Sequence, residues 1–557
     1  MRVPARTIFA LIAAATAGAL AFALPQQGGP LPPPPFPAEN PPTLDKALLG
    51  KILFWEEQMS SDNTVACGSC HQPGRGFSDP RIAVNPGPDG VAPSPDDVVG
   101  SPGVIRQTAA GDYTPDAVFD LFPQVTGRHA PEIVGALYAR EAFWDGRAPD
   151  RFVDPQSGAV SILTGGALES QAVGPPVNDA EMAHEARDWN QILVKLASVR
   201  PWALASNLPP DASAAIALNP TYPALFGRAF GDPAITAERI AFAIATYERT
   251  LVPDQTPWDR FIAGQQNAMT PDQIAGWNQF NGPARCANCH TAPVFSDGLF
   301  HNLGLRPFQE DDGRRAVTGL FGDRGRFKSP SLRNAGLRPR YFHNGQEAQL
   351  DNGPAQGGVD EIYVNGGGAF RDNLDPLLLP LAGQPGINVP QIFEFVRNGL
   401  TDPRVAAGLP PFDRPTLYAE RHPPGAELFG PALAGSGGVQ PGLIVSAPPL
   451  YGGAEFKIGL RAGLGAAQAW VAVSLSAGSG ALRHGVPLNL GLPFLRLAQI
   501  RLDGGAAVAG EGFGTIHLTL PANPALAGVE FFAQGFVQDP AAAGGFAATR
   551  GARFSIL

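Results

Sequence analysis

The four cysteines of this 557-residue chain all lie in two Cys-x-x-Cys-His motifs. The first motif is Cys67-Gly-Ser-Cys70-His71, and the second is Cys286-Ala-Asn-Cys289-His290. In each motif two thiols can bond the vinyl groups on one edge of a haem while the histidine ligates its iron. A zinc site built from the four thiolates is the alternative, but it leaves the histidine after both pairs unexplained. The spacing therefore predicts two covalently bound haem c groups, with His71 and His290 as iron ligands.

The composition is that of a globular protein with real cores, since 44% of the residues are hydrophobic and 16% are charged. The formal net charge is −10. This balance argues against nucleic acid as a partner, because phosphate binding requires a basic face. An acidic surface is compatible with docking of a basic electron-carrier protein.

The N-terminus has the pattern of a secretory signal. Arg2 and Arg6 precede an apolar run over 8–20, and Ala21-Phe-Ala23 is a small-x-small cleavage site. A membrane anchor is the alternative, but the run is too short to span a bilayer comfortably. We therefore expect a periplasmic or secreted protein with no membrane span after signal cleavage.

Helical patterns accompany both cysteine motifs. Apolar residues recur at helical spacing from Leu44, and helical patterns return over 180–198, 235–251 and 389–400. Thr270, followed by Pro-Asp-Gln, has the residues of an N-cap and first turn. We expect a helix to begin there and to open a second haem unit.

The character of the chain changes near residue 426. Glycine and alanine become more frequent, and segments such as Phe456-Lys-Ile-Gly-Leu-Arg and Trp470-Val-Ala-Val-Ser-Leu alternate with period two. We predict a mainly α chain of two cytochrome c-like haem domains followed by an all-β, sandwich-like domain of unknown role. The predicted divisions are a signal peptide over 1–23, a proline-rich linker over 24–42, an N-terminal haem domain over 43–265, a C-terminal haem domain over 266–425 and the sandwich over 426–557.

Several further motifs surround the two cysteine motifs in a fixed order. They are Leu49-Gly-Lys-Ile-Leu-Phe, Gly76-Phe-Ser-Asp, Phe143-Trp-Asp-Gly-Arg-Ala, the block from Gln171 to Met182, Phe327-Lys-Ser-Pro-Ser-Leu-Arg-Asn and Tyr341-Phe-His-Asn-Gly. Over residues 43–405, roughly, the chain in this respect resembles the bacterial dihaem cytochrome c peroxidase and MauG family.

The resemblance implies a division of labour between the haems. The haem at His71 would bind peroxide, and the haem at His290 would receive and relay electrons. Trp144 would lie between them as the electron path, although a tryptophan is more often an ordinary core aromatic.

The resemblance also implies two polar residues beside the peroxide. Glu181 would be the acid and base, and Gln171 would hydrogen-bond the bound oxygen or position Glu181. From the residues alone, Asn178-Asp-Ala-Glu181 is also a capping box that opens a helix.

Two departures from the family pattern concern the iron ligands. No histidine lies between His71 and His129, so the first haem should be five-coordinate and open. No methionine follows His290, and the matching segment offers Tyr363 instead. Tyr363 is our candidate second axial ligand of the His290 haem; the alternative is an unligated surface tyrosine.

A third departure concerns the calcium ion that the family binds between its haems. His129 stands at the position of the family's asparagine ligand, and Arg338 and Arg340 lie in the segment that supplies its carbonyl ligands. Cations and an imidazole are poor neighbours for a divalent ion, so calcium binding is doubtful and we hypothesise that these side chains replace it.

The leading functional interpretation is reduction of hydrogen peroxide to water with electrons from a small periplasmic carrier of the cytochrome c or cupredoxin type. One alternative is a MauG-like oxidase that uses peroxide-derived ferryl haem to modify a protein or organic substrate. A non-enzymatic dihaem electron-transfer protein is the other alternative. Glu181 and Gln171 argue against it, since a pure carrier needs no acid and base beside an open iron.

Overall fold

The structure is a computed structural model that describes residues 29–352, 357–422, 427–453 and 456–557. The signal peptide over 1–23 and the division between residues 425 and 426 lie outside the described residues. The domain boundaries therefore stay predictions.

The α-helices are short, and those of the described ranges lie between residues 44 and 421. They are α1 (Leu44–Phe54), α2 (Cys67–Cys70), α3 (Ala167–Ala172), α4 (Trp189–Ser198), α5 (Pro210–Leu218), α6 (Tyr222–Phe230), α7 (Ala237–Glu248), α8 (Pro257–Ile262), α9 (Pro271–Asn281), α10 (Arg315–Thr318), α11 (Val359–Val364), α12 (Val389–Glu394), α13 (Pro403–Ala407) and α14 (Tyr418–Arg421).

The strands fall into two groups, one within the haem region and one in the C-terminal part. The first group is β1 (Ala83–Asn85), β2 (Val98–Gly100), β3 (Pro102–Ile105), β4 (Pro123–Val125), β5 (Phe152–Val153), β6 (Val160–Ile162), β7 (Phe300–His301) and β8 (Phe327–Lys328). The second group is β9 (Leu428–Phe429), β10 (Gly442–Ile444), β11 (Lys457–Leu464), β12 (Gln468–Ser474), β13 (Ala477–Arg483), β14 (Val486–Leu490), β15 (Arg496–Arg501), β16 (Ala509–His517), β17 (Glu530–Gln538) and β18 (Phe546–Ser555).

The prediction of a mainly α chain is wrong. The protein is 26% helical and 20% strand, which is a mixed class. Part of the helix expected over 180–198 is absent, because α4 begins only at Trp189 with Asp188 as its N-cap. The Asn178 side chain instead accepts a hydrogen bond from Ala180 N–H at 2.9 Å, and the residues that follow Asn178 form turns.

Helix α1 positions the first cysteine motif. It packs against α7 in a core that includes Leu49, Ile52 and Phe54. Helix α1 ends before Trp55. The Trp55 ring lies so close to Gly68 that a Cβ atom at position 68 would overlap it. The close approach fixes the turn of the motif against the core.

The C-terminal part is an all-β domain, as predicted. Five strands pair in the order β15-β12-β17-β18-β9 and three in the order β10-β11-β16, all antiparallel. Apolar residues from both sheets, such as Ile458, Val471 and Val537, form a shared core. Across the described ranges of the chain, no helix has the length and hydropathy needed to cross a membrane.

Candidate haem sites

The first cysteine motif places a neutral imidazole at the wall of a cavity. Burial lowers the pKa of His71, which keeps the ring uncharged. Its Nδ1 lies 3.3 Å from the carbonyl oxygen of Phe77 and donates to it. The hydrogen bond fixes the tautomer and leaves Nε2 as a lone-pair donor for a metal.

The second motif repeats this arrangement. Burial lowers the pKa of His290 to about 4, and its Nδ1 donates to the carbonyl oxygen of Phe295 at 3.2 Å. The two histidines therefore make the same kind of hydrogen bond. In each case the backbone carbonyl of a phenylalanine a few residues further on orients the imidazole ring.

Each motif lines a separate large cavity. Cys67, Cys70 and His71 line the first. Cys286, Cys289 and His290 line the second. Two thiols and a neutral imidazole at the wall of a roomy cavity fit a covalently attached haem at both places.

Two of the expected catalytic residues lie in the first cavity with His71. Gln171 comes from the end of α3, and Glu181 comes from the turns after Asn178. Burial raises the pKa of Glu181, and the positive charge of Arg147 opposes this rise. No helix begins at Asn178, so the capping-box alternative for Glu181 is wrong.

Trp144 lies between the two cavities and lines both. Its Nε1–H donates to the carbonyl oxygen of His129 at 2.8 Å. Its ring centroid is 6.4 Å from that of His343, which in turn stacks on Phe327 at 3.5 Å. A chain of aromatic rings therefore leads from the second cavity toward the first.

Tyr363 lines the second cavity together with His290. It lies on α11, and burial raises the pKa of its hydroxyl. This position differs from that of a surface tyrosine. Its role as an iron ligand stays a prediction.

The residues between the cavities do not fit a calcium ion. His129 Nε2 lies 2.6 Å from Ser78 Oγ, and its Nδ1 donates to the carbonyl oxygen of Val99 at 3.1 Å. Both ring nitrogens thus have protein partners, and the cation of Arg340 acts on the same imidazole. A divalent ion prefers carboxylate and carbonyl oxygens to such a set.

Two residues of the first cavity were not predicted from the sequence. Glu248 ends α7 and lines the cavity, and burial raises its pKa to about 8. Arg147, which was only part of a motif, is the cation that acts on Glu181. Glu248 gives no sequence signal, because a glutamate near a helix end usually faces solvent.

Arg333, which lies in one of the motifs quoted above, and His301 both have structural partners. Arg333 is fully buried, and its guanidinium donates to both carboxylate oxygens of Asp259 at 2.7 and 2.8 Å. His301 lies 2.8 Å from a carboxylate oxygen of Asp297 and at the same distance from Asp375. Among these residues only His301 and Asp375 line the second cavity.

The comparisons with known proteins agree with this geometry. The family model for di-haem cytochrome c peroxidase matches residues 44–267. The cytochrome c551 peroxidase of Nitrosomonas europaea is 28% identical over 57% of this chain and 74% of its own length. These similarities support the dihaem cytochrome c peroxidase and MauG family as the family that this chain resembles.

Proteins named MauG are also similar to this chain. The methylamine utilization protein MauG of Methylorubrum extorquens is 29% identical over 60% of this chain and 72% of its own length. A solved MauG-like protein associated with microbial copper homeostasis covers 72% of this chain and 99% of itself, with 21% identity and a TM-score of 0.47. The dihaem cytochrome c peroxidase and MauG family implies two c-type haems, in agreement with the two cysteine motifs of this chain.

Proposed function

We propose that this protein is a peroxidase that reduces hydrogen peroxide to water in the His71 cavity, using electrons delivered through the His290 cavity. The observation that carries the proposal is the presence of a buried carboxyl group, Glu181, and an amide, Gln171, in the same cavity as His71. A site that only relays electrons needs neither group.

Bound at His71, a haem supplies the iron and the electrons for cleavage of the O–O bond. The Glu181 carboxylate accepts a proton from one peroxide oxygen and delivers it to the other, which leaves as water. The Gln171 amide donates a hydrogen bond that holds the peroxide in reach. The second oxygen leaves as water after it takes up two electrons and two further protons, and Glu248, whose pKa is about 8, can supply one of these protons at neutral pH.

Glu181 has to be ionised to accept the first proton. Because burial raises its pKa, the fraction of active carboxylate increases with pH through a range above that of an ordinary glutamate. The positive charge of Arg147 opposes this rise and favours the ionised carboxylate.

The electron donor in this proposal is a small carrier protein of the cytochrome c or cupredoxin type. Leu377 and Leu379 line the second cavity and are 48% and 43% exposed. An apolar rim at the mouth of a redox site suits a transient protein partner. We also propose that the protein is exported, in line with the N-terminal pattern and with haem attachment outside the cytoplasm.

Steady-state oxidation of a reduced cytochrome c or cupredoxin tests this function. We expect donor oxidation only when peroxide is present, with two donor equivalents consumed for each peroxide. Peroxide consumption without donor oxidation would contradict the proposal.

The MauG-like oxidase remains the second candidate because Tyr363, in place of a methionine, lines the second cavity. An anionic phenolate ligand favours oxidised iron, opposite to a thioether. Rapid mixing of the ferric protein with peroxide separates the two functions. A state that persists without donor and decays on adding an organic substrate would favour the oxidase.

A further inference from the structure

Residues 83–125, which we call the insert, contain strands β1 to β4 and contact the loop that carries Glu181. Val104 N–H donates to the carbonyl oxygen of Glu181 at 3.1 Å. Four residues later, Glu185 N–H donates to the carbonyl oxygen of Gln107 at 3.0 Å. The insert is thus hydrogen-bonded to the backbone of this loop at two points, Glu181 and Glu185.

Two more contacts bring the insert and the loop close together. Gln124 Nε2 donates to the carbonyl oxygen of Asp179 at 2.8 Å. Gly103 lies so close to the carbonyl oxygen of Ala180 that a Cβ atom at position 103 would overlap it. Residues 178–183 form turns and no helix, so Glu181 is held by these contacts together with the bonds that Ser61 N–H and the Arg187 guanidinium donate to the carbonyl oxygen of Met182.

The opposite side of the insert is held by the C-terminal sandwich. Lys457, on β11, is 3% exposed. Its ammonium donates to Gln107 Oε1 and to the carbonyl oxygen of Gly111, both at 2.6 Å. It also lies 4.8 Å from the centre of the Tyr113 ring. All three of these contacts are made to the insert, and a buried ammonium is held firmly by such partners.

The strand next to β11 adds further bonds. Tyr113 N–H donates to Thr515 Oγ1 at 2.8 Å, and the His517 ring lies 2.8 Å from a carboxylate oxygen of Asp112. The Tyr113 ring is buried against Ile444 of β10. The interface between the insert and the sandwich is therefore both polar and packed.

Gln107 belongs to both sets of contacts. Its side chain accepts the Lys457 ammonium, while its backbone carbonyl accepts the N–H of Glu185. We propose that the C-terminal sandwich is a positioning element for the peroxide site, in which Lys457 acts through Gln107 to fix the loop that carries Glu181. This inference rests on the proposed function of Glu181, and it gives the sandwich a role in the reaction.

Hydrogen exchange of the haem-loaded full chain tests the positioning directly. In Lys457→Met, which keeps most of the apolar stem and removes the charge, we expect exchange at the amides of Val104 and Glu185 to be roughly 10-fold faster. Thr515→Val, which removes the acceptor for Tyr113 N–H with little change of shape, should act in the same direction. The matched control is Arg496→Met, because Arg496 is an exposed cation on the edge strand β15.

The pH dependence of the peroxide reaction separates positioning from a general loss of stability. Burial raises the pKa of Glu181, and Arg147 opposes this rise. The other carboxyl groups lining the cavity are Asp145 and Glu248, and its other charged or titratable nitrogen groups are His71, Arg128 and His129. Water that enters a loosened loop reduces the cost of ionising Glu181, so the rising limb of the rate should move to lower pH in Lys457→Met.

Faster exchange at Glu185 together with the displaced limb would support the proposal. Loosening confined to residues 105–113, with Glu185 exchange and the pH limb as in the unmodified protein, would overturn it. If the unmodified protein did not react with peroxide, the proposed function would fail, whereas the exchange result would still decide whether the sandwich holds this loop.

Discussion

At the scale of single residues, the two haem histidines show which parts of a site can be predicted from the sequence and which depend on the local fold. The Cys-x-x-Cys-His spacing predicts which residues hold each haem. The structure adds the carbonyl oxygens of Phe77 and Phe295, which orient the imidazoles. These carbonyls could not be predicted, because any residue type supplies one and only the local turn aims it.

Tyr363 offers the first test at this scale. If its oxygen ligates the iron at His290, Tyr363→Phe should remove the low-spin ferric signal and leave the high-spin signal of the other haem. The control is Tyr341→Phe, since Tyr341 lines the same cavity but its hydroxyl donates to the carbonyl oxygen of Ala335. An unchanged electron paramagnetic resonance spectrum in Tyr363→Phe would refute the ligand assignment.

Glu248 makes a prediction about stability. Its pKa of about 8 in the folded protein is above that of an exposed glutamate, so its contribution to stability is fully present at acid pH and is lost as pH rises through 8. Glu248→Gln should remove this dependence, on the order of a few kcal/mol between pH 5 and 9. Denaturant unfolding across that range measures it, with Glu238→Gln at the start of α7 as the control. Parallel curves for Glu248→Gln and the unmodified protein would contradict the assignment.

At the scale of elements, local signals predicted helix starts well where the cap is made by the residues themselves. Thr270 is the N-cap of α9, and its hydroxyl oxygen accepts a hydrogen bond from Gln273 N–H, as its residue pattern predicts. The helix expected from residue 180 forms only from Trp189, because hydrogen bonds to the insert and to Asn178 compete with it. Short strands such as β3 and β4 show no alternation of apolar and polar residues in the sequence, because contacts with other parts of the chain stabilise them.

Trp144 joins elements from both haem units, so its prediction concerns transfer between them. Trp144→Phe should lower donor-dependent turnover several-fold while the reaction of the first haem with peroxide keeps its rate. Trp470→Phe, which changes a half-buried tryptophan of the sandwich, is the control. Equal turnover in Trp144→Phe and the control would exclude this ring as the main path.

At the scale of the whole molecule, the sandwich and the haem region are coupled through contacts distant in sequence. Lys457 and Gln107 are separated by 350 residues. Alternation of apolar residues predicts that the sandwich exists, but nothing in its sequence indicates which surface of the haem region it contacts. Which surfaces of the sandwich and the haem region meet depends on the shapes of the two folded units and on the buried charge of Lys457. No local sequence pattern encodes this combination.

The central claim is that peroxide reacts in the His71 cavity with Glu181 as its acid and base. Stopped-flow mixing of haem-loaded Glu181→Gln with peroxide tests this claim most directly, because the substitution keeps the size of the side chain and removes its ionisation. We predict the same absorbance spectrum before mixing and a rate roughly 10²- to 10⁴-fold below that of the unmodified protein. A rate equal to that of the unmodified protein would contradict the claim.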